Sequence, residues 1–266
     1  MTVIAGPTVL LNERDFNEDN PIVLYKSAVA LGFVAADSET TFNPASNLAN
    51  NSTDEFWQSA STSEQLVTVS ILTGELVDTV GIARHNFGSA RVAISVEGNV
   101  GAGYSQLTEP IILKDDAPAL FRITCDAYTG IRLRLTPAGT APRMAVLFVG
   151  KHLKLQRRVY VGHTPITLAR QRKFVPGRSE NGNFLGRVMV GSGTASSISL
   201  ANLEPGWYRD KMEPFLRDAD AWFFAWRPQG YPREIGYVWL TSDPMPKNTG
   251  NNGTMSVELA FAGITS

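Results

Sequence analysis

Short apolar runs that alternate with polar residues at a period of two constrain the fold of this chain more than any other feature. In LVTVSIL (66–72) the odd-numbered positions carry Val, Val and Ile, and in GIRLRLTP (130–137) Ile and Leu alternate with Arg. Successive side chains of a β-strand point to opposite faces, so both runs predict half-buried strands. The 23 glycines and 15 prolines supply turn residues between such runs, as in sandwiches and barrels. The predicted fold class is therefore all-β.

Between about residues 20 and 155 the chain holds enough of these runs for one β-sandwich. The basic stretch KLQRRVY (154–160) marks the end of this first unit, so we assign residues 1–155 to a sandwich domain with an N-terminal extension. The candidate strands lie within 20–33, 66–72, 77–85, 91–98, 121–127, 130–137 and 143–155.

Residues 156–266 predict a second β domain with one helix. The helix begins at Pro205 and runs over about 206–218, with a kink or break expected at Pro214. The stretch 172–186, rich in Gly, Asn and charge, is predicted to be a loop. The candidate strands are two within 159–169 separated by a turn, 184–191 and 196–203 joined by a Gly-Ser turn, 221–228, 235–241 and 253–264.

Charge and cysteine content limit the partners and the compartment. The formal net charge is −1, so we expect no nucleic-acid specificity. Cys125 is the single cysteine, which excludes disulfides within the chain and fits assembly in a reducing cytoplasm. We expect neither a signal peptide nor membrane insertion, because no apolar run of the required length is present.

No pattern in the sequence indicates catalysis. The histidines at 85, 152 and 163 have no nucleophile elbow beside them, and no cysteine or histidine cluster has metal spacing. The acidic pairs Asp115–Asp116 and Asp218–Asp220 favour capping or solvated roles. We therefore predict no catalytic residue, no cofactor and no metal site.

The order of several residues in the first unit resembles the discoidin-type, galactose-binding-like jelly roll (F5/8 type C-like) over about residues 20–152. The matching positions are Asn47–Leu48, Trp57, Ser59, Val67–Leu72, Val77–Asp78 and His85–Asn86. The resemblance implies that loops at one end of the sandwich bind sugars, lipids or proteins. Several relatives also hold a Ca²⁺ ion in a loop of carbonyls and carboxylates.

If the sandwich binds a sugar, the candidate ligand-binding residues lie in the loops near that end. Aromatic stacking and planar hydrogen-bonding groups are the usual means. For Trp57, packing in the core near the mouth is favoured over direct stacking on a sugar. The candidates are Asn47, Trp57, Arg84, His85 and Asn86.

A second resemblance is to distal tail and related tail-tube proteins of tailed bacteriophages. It rests on the strand end IARHN (82–86), the helix GWYRDKMEPFL, the strand AWFFAWRP and the closing strand MSVELAFAGI. It implies a jelly roll followed by a ring-forming β-sandwich with one flanking helix. The domain order departs from the family, because the usual distal tail protein places its ring domain first.

This resemblance implies a structural protein of the virion, assembled in the host cytoplasm. The chain would bind copies of itself in a ring around the tail axis, with six-fold symmetry expected and three-fold the alternative. Further partners would be the tail tube and tail hub proteins, and tail fibres or host surface glycans. Residues 170–184 would form an arm that reaches a neighbouring subunit, or a solvated loop; its basic residues are Arg170, Arg172, Lys173 and Arg178.

Two other functions stay open. A free-standing carbohydrate-binding protein would be a monomer with affinity for sugars. A glycan-acting enzyme, the less favoured alternative, would need two carboxylates facing each other across a cleft, for which Asp54–Glu55 is a candidate without a supporting pattern.

Overall fold

The computed structural model describes residues 19–30, 33–72, 75–159, 162–249 and 253–265, and strands dominate these ranges. The predicted all-β class is confirmed. The earlier strands are β1 (Ile22–Leu24), β2 (Val34–Ala36), β3 (Trp57–Gln58), β4 (Gln65–Ser70), β5 (Val77–His85), β6 (Ala93–Asn99), β7 (Tyr104–Gln106), β8 (Ile111–Ile112), β9 (Ala119–Asp126), β10 (Gly130–Thr136), β11 (Arg143–Gly150) and β12 (Leu153–Lys154). The later strands are β13 (Arg170–Arg178), β14 (Phe184–Leu203), β15 (Trp222–Ala225), β16 (Ile235–Leu240), β17 (Lys247–Thr249) and β18 (Thr254–Ile264).

Two antiparallel sheets form the predicted sandwich. A six-stranded sheet has the order β2-β4-β10-β6-β7 with β8 beside β6, and a four-stranded sheet has the order β3-β11-β5-β9. Residues from both sheets share one apolar cluster, which includes Val67 and Leu133 from the first sheet and Val80 and Leu147 from the second.

The alternation in β10 is as predicted. Ile131, Leu133 and Leu135 are buried. On the opposite face, the guanidinium groups of Arg132 and Arg134 donate hydrogen bonds to the Glu97 carboxylate on the paired strand β6, at 2.7 and 2.6 Å. The strand thus presents one face to the core and an ion-pair network to solvent.

A third sheet has eight strands, in the order β12-β1-β15-β16-β18-β14-β13 with β17 beside β18. Strand β1 lies inside this sheet, because Val23 is paired with Leu153 on one side and with Phe224 on the other. Strand pairing therefore crosses residue 155. The division of the chain into two domains there stays a prediction.

The four-stranded sheet is the middle layer of three. One face of β11 contributes Leu147 and Val149 to the sandwich core, and the other contributes Val146 and Phe148 to a second cluster with the eight-stranded sheet. The Phe148 ring contacts that of Phe223 edge to face at a centroid distance of 5.5 Å. Burial on both faces explains why β11 is apolar almost throughout, and in β5 every residue except Arg84 is buried.

The structure corrects three predictions in the second half. The expected loop at 172–186 contains strand β13 and the start of β14, which pair as a β-hairpin. The expected Gly-Ser turn near 191–195 is absent, since β14 is one strand of 20 residues. Residues 162–169 hold a turn at 166–168 and no strand, while 160 and 161 lie outside the described residues.

The physical reason is the same for the first two errors. Both faces of the β13–β14 hairpin are largely exposed between residues 170 and 193, so no apolar alternation marks the strands. Glycines that usually signal a turn here lie opposite Lys173 and Gln171 in the ladder. In the described part of 159–169, the Thr194 hydroxyl donates to the carbonyls of Ile166 and Ala169 and holds the turn.

The predicted helix is present at Pro205–Asp218. It opens with Pro205–Trp207, continues as a π-helical turn at Tyr208–Met212 and ends as the α-helix Glu213–Asp218. Pro214 lies in the first turn of that last segment, where a proline is tolerated. The irregularity expected at Pro214 is therefore a π-helical turn directly before it.

Candidate binding surfaces

Trp57 belongs to the core of the sandwich. It begins strand β3, its side chain has no exposed surface, and its indole N–H donates to the Ser38 carbonyl at 3.1 Å. The closed indole face offers no surface to a sugar in this structure. The packing role that the sequence favoured for Trp57 is the one that its burial supports.

His85 is also interior. It ends β5, and its Nε2 lies 3.0 Å from the Ala117 carbonyl while Nδ1 accepts a hydrogen bond from the Phe87 N–H. Burial lowers the pKa of His85 to about 4, although the Asp116 carboxylate acts in the opposite direction. The ring is therefore neutral near pH 7, with its proton on Nε2.

Asn86 and Asn47 fix the backbone around the mouth. The Asn86 amide donates to the Ala141 carbonyl, and its carbonyl accepts the Arg143 N–H at 2.9 Å. Asn47, in a 3-10 helix at Ala45–Ala49, donates to the Phe56 carbonyl at 3.0 Å. Both side chains hold loops in place rather than projecting freely.

The carboxylates of Asp115 and Asp116, in the loop before β9, accept hydrogen bonds from backbone N–H groups. The Asp116 carboxylate accepts the N–H groups of Gly88 and Ser89, both at 2.9 Å. Asp115 accepts the Ala117 N–H at 3.1 Å. The Asp116 bonds fix the turn after β5, and the Asp115 bond holds its own loop.

A polar cleft of about 420 Å³ lies beside Asn86. In the ladder between β3 and β11, Gln58 lies directly opposite Arg143. The Arg143 guanidinium lies over the Phe56 ring, 5.7 Å from its centroid. Ser89 and Thr140 add exposed hydroxyls to the cleft wall. The cleft thus gathers an amide, a guanidinium and two hydroxyls on strand ends and short turns.

Arg84 is not among the residues that line this cleft. Its side chain enters a cavity of about 250 Å³ between the sandwich and the β13–β14 hairpin. Arg170 and Arg172 of β13 line the same cavity, together with Met189 and Ile264. The structure therefore brings one predicted ligand-binding residue together with two predicted assembly residues.

The three arginines of this cavity have no counter-charge among the residues that line it. Within the described residues, none of the three guanidinium groups forms an ion pair or a side-chain hydrogen bond. Arg84 also has a φ of +52°, a left-handed conformation that costs a non-glycine residue of order 1 kcal/mol or more. Such strain persists only where the surrounding structure holds it.

The cavity opens into a groove of about 580 Å³ along the hairpin. Both include Arg170, Arg172, Ser192 and Gly193 in their walls. The groove also includes Lys173, whose side chain projects from the face of β13 opposite to Arg170 and Arg172. We call the cavity and the groove together the junction groove. Arg178, the remaining predicted assembly residue, does not line it.

The far part of the hairpin exposes apolar side chains. We call residues 174–190 the arm, a range that replaces the predicted arm at 170–184. Its strand β13 is the edge of the eight-stranded sheet, so one side of its backbone has no neighbouring strand among the described residues. The large apolar side chains exposed on the arm are Val175, Phe184, Leu185, Val188, Met189 and Val190, each more than half exposed.

A buried polar pair lies outside these surfaces. The Asp78 carboxylate accepts hydrogen bonds from the backbone N–H and the Nδ1 of His152, at 3.0 and 2.9 Å, and from the Thr79 hydroxyl. Burial acts to raise the pKa of Asp78, but the bonds and charge from His152 outweigh it and lower the pKa below its usual value. The pair ties β5 to the end of β11, as expected for a strand-end histidine.

Sequence reasoning did not find Gln58, Ser89, Thr140 or Arg143. Of these four residues, only Arg143 lies at a position that the sequence marks, the start of a predicted strand. The register of that strand with β3, which places Arg143 opposite Gln58, cannot be predicted from the sequence. Among the described residues, no group of three or more His, Cys, Asp or Glu side chains could hold a metal ion. Within the same ranges, no helix has the length and apolarity needed to span a membrane.

Comparison with known proteins gives structural neighbours only. No family model and no curated protein matches the chain. One similar solved structure is chitosan-binding module 1 of a chitosanase/glucanase from Paenibacillus sp. IK-5, at 16% identity and a TM-score of 0.42, covering 48% of this chain and 100% of that chain. Another is a carbohydrate-binding module from Clostridium perfringens in complex with GalNAc-β-1,3-galactose, at 13% identity and a TM-score of 0.41, covering 47% and 100%. With scores below 0.5, these likenesses carry no weight for the function or the site.

Proposed function

We propose that this protein is a non-catalytic carbohydrate-binding protein and that a glycan binds in the polar cleft of the sandwich. The observation that carries the proposal is the pairing of Gln58 with Arg143 across β3 and β11, with Phe56 beneath the guanidinium. Planar amide and guanidinium groups hydrogen-bond to adjacent sugar hydroxyls, and strand ends hold them in fixed positions.

The composition of the cleft supports binding rather than hydrolysis. Glycoside hydrolysis requires two carboxyl groups on either side of the scissile bond. No Asp or Glu is among the residues that line the cleft. The nearby Asp116 is engaged by the backbone N–H groups of Gly88 and Ser89.

A glycan array followed by calorimetry tests the proposal. We expect neutral glycans to bind the wild-type protein, and Arg143→Ala to weaken the best of them at least about tenfold, which is the loss of one charge-assisted hydrogen bond. Arg178→Ala is the matched control, since it removes an exposed arginine outside the cleft. Absence of binding at millimolar glycan, or equal affinity in Arg143→Ala, would refute the proposal.

A second function, self-assembly, is favoured by the arm. It combines an unpaired sheet edge with a series of exposed apolar side chains, and isolated edges of this kind pair readily with another chain. We propose that the occupant of this surface is the arm or sheet of a second copy of the chain. If the arm of one copy binds the sheet of the next, the contact is head-to-tail and closes into a ring when its rotation divides the circle evenly, whereas arm-to-arm pairing gives a two-fold dimer.

The setting we propose for this assembly is the tail tip of a tailed bacteriophage. Six copies would surround the tail axis, with three as the alternative, and the tail tube and hub proteins would be their neighbours. The cleft would then be displayed outward, where it could bind host surface glycans or tail fibres. The support is the resemblance in the second half of the chain together with the exposed arm.

Light scattering behind a sizing column, with negative-stain images, tests assembly. We expect a closed oligomer for the wild-type protein, and we expect Val188→Lys to shift it to the monomer because the arm would carry a charge into the interface. Phe42→Ser is the control, since Phe42 is an exposed apolar residue (89%) outside the arm. A monomer at every concentration, or an oligomer unaffected by Val188→Lys, would reject the arm as the contact.

A further inference from the structure

We infer that the junction groove is a second binding site, separate from the polar cleft, and that its ligand is a carboxylated polysaccharide. Arg84 reaches it from the sandwich, and Arg170 and Arg172 reach it from the hairpin. This site needs both parts of the molecule, so neither the sandwich nor the hairpin contains it alone.

The arrangement of the arginines suits carboxylates. Positions 170 and 172 are two residues apart on one strand, so both side chains project from the same face of β13. A guanidinium group binds a carboxylate through two parallel hydrogen bonds, which gives it direction as well as charge. Arg84 lines the same cavity as these two groups, but from the sandwich rather than from the hairpin.

The charge of this site is uncompensated. No acidic side chain lines the cavity or the groove. Like charges gathered without a counter-ion repel each other, and a bound anion relieves that repulsion. Each exposed ion pair contributes little in water, so useful affinity requires a ligand that carries several anionic groups.

The shape indicates a chain rather than a small ion. The cavity of about 250 Å³ continues into the groove of about 580 Å³ through shared walls. The cavity falls below the roughly 300 Å³ at which pockets for drug-sized ligands begin, so it suits one compact unit of a polymer. The groove then offers room for the units that follow.

The lining separates this ligand from other polyanions. Binding of single-stranded nucleic acid relies on aromatic rings that stack with bases, and no aromatic residue lines the junction groove. An acidic peptide would gain most of its affinity from buried apolar anchors. The walls instead offer Gln171, Ser192 and the bare backbone of Gly191 and Gly193, which hydrogen-bond to hydroxyl-rich chains.

Calorimetry with oligogalacturonate tests the inference. We expect binding that weakens by at least tenfold between low salt and half-molar salt, since exposed charges dominate it. The double variant Arg170→Gln/Arg172→Gln should lose at least tenfold in affinity, and Arg84→Gln should lose several-fold. Arg178→Gln, on the same hairpin and outside the groove, should bind as the wild type does, and thermal melts of all variants verify that they are folded.

Competing ligands define the outcomes that would overturn the inference. A neutral maltooligosaccharide of the same length should not bind here, while polyglutamate and single-stranded DNA should bind more weakly than oligogalacturonate. Stronger binding of either would assign the groove to another class of partner. The inference would be refuted if the double variant bound oligogalacturonate as tightly as the wild type, or if the wild type did not bind it at millimolar concentration. Arg143→Ala should leave this binding unchanged, so the cleft and the junction groove can fail independently.

Discussion

At the scale of single residues, the ring of His85 makes the stability of the sandwich depend on pH. Its Nδ1 accepts the Phe87 N–H, and only the neutral ring can accept a hydrogen bond there. The folded pKa of about 4 lies below the ordinary value of 6.5. As pH falls from 6.5 towards 4, His85 becomes protonated in the unfolded chain but stays neutral in the folded chain. The free energy of unfolding therefore decreases over this range.

We predict that His85 lowers the free energy of unfolding by about 2–3 kcal/mol between pH 7 and about pH 4.5. Urea denaturation of the wild type and of His85→Gln at both pH values measures the effect. Glutamine keeps a donor and an acceptor and does not titrate, so its pH dependence should be flatter by that amount. Identical pH dependence in the two proteins would contradict a neutral His85.

Trp57 gives a second prediction at this scale. Its side chain has no exposed surface, so Trp57→Ala should leave a cavity and lower the free energy of unfolding by about 3–5 kcal/mol. Trp239 is 38% exposed, and Trp239→Ala should cost clearly less. Urea denaturation at neutral pH compares the two variants, and equal costs would show that Trp57 is not a core residue.

At the scale of elements, β1 should matter out of proportion to its 3 residues. Val23 lies between β12 and β15, where a proline removes a backbone donor and cannot join the ladder. We predict that Val23→Pro lowers the free energy of unfolding by about 3 kcal/mol or more, whereas Val23→Ile, which keeps the backbone donor and adds one methylene, should cost less. A small decrease in the free energy of unfolding of Val23→Pro, measured by thermal and urea unfolding, would contradict the placement of β1 inside the sheet.

The elements also show what a sequence reveals. Strands such as β10 were predictable because one face is buried and the other faces solvent. Apolar residues such as Leu133 therefore alternate with polar ones such as Arg134 along the sequence. The β13–β14 hairpin was missed because both of its faces are exposed, and Val175 and Val188 pair without a buried side to mark them. The partner of β1 was also unpredictable, because pairing with β15 depends on tertiary contacts far along the chain.

At the scale of the whole molecule, the close contact between Gly81 and Phe223 joins the sandwich to the large sheet. A Cβ added at Gly81 would lie 2.7 Å from Cε2 of Phe223, in a packed interior. The contact leaves no room for a side chain, so the two layers meet directly. We therefore expect the sandwich and the large sheet to unfold together.

The prediction is one cooperative transition for the wild type. In the wild type, tryptophan fluorescence and far-UV circular dichroism should give the same urea midpoint, since tryptophans lie in the cores of both parts. Gly81→Ala should lower stability by about 1–3 kcal/mol through overpacking. Gly206→Ala, where an added Cβ meets nothing within 4 Å, is the control. Two separate midpoints in the wild type would show independent domains.

The candidate sites follow the same logic at this scale. Asn86 lines a cleft from a turn whose chemistry is local, whereas Arg143 enters that cleft only through the register of β3 and β11. Arg84 and Arg170 were assigned to different tasks, and only the packing of the hairpin against the sandwich brings them together. Local chemistry can be read from a sequence, whereas convergence of distant side chains requires the fold.

The position of β1 has a consequence for synthesis on the ribosome. Leu24 is paired with Phe223, so about 200 residues must be translated before the strand can meet its partner. At about 5–20 residues per second, this takes roughly 10–40 s. During that interval the apolar strand β1 has unpaired backbone groups and is accessible to chaperones and to other nascent chains. The rate of translation, and not only the final stability, then influences how much of the protein reaches its native state.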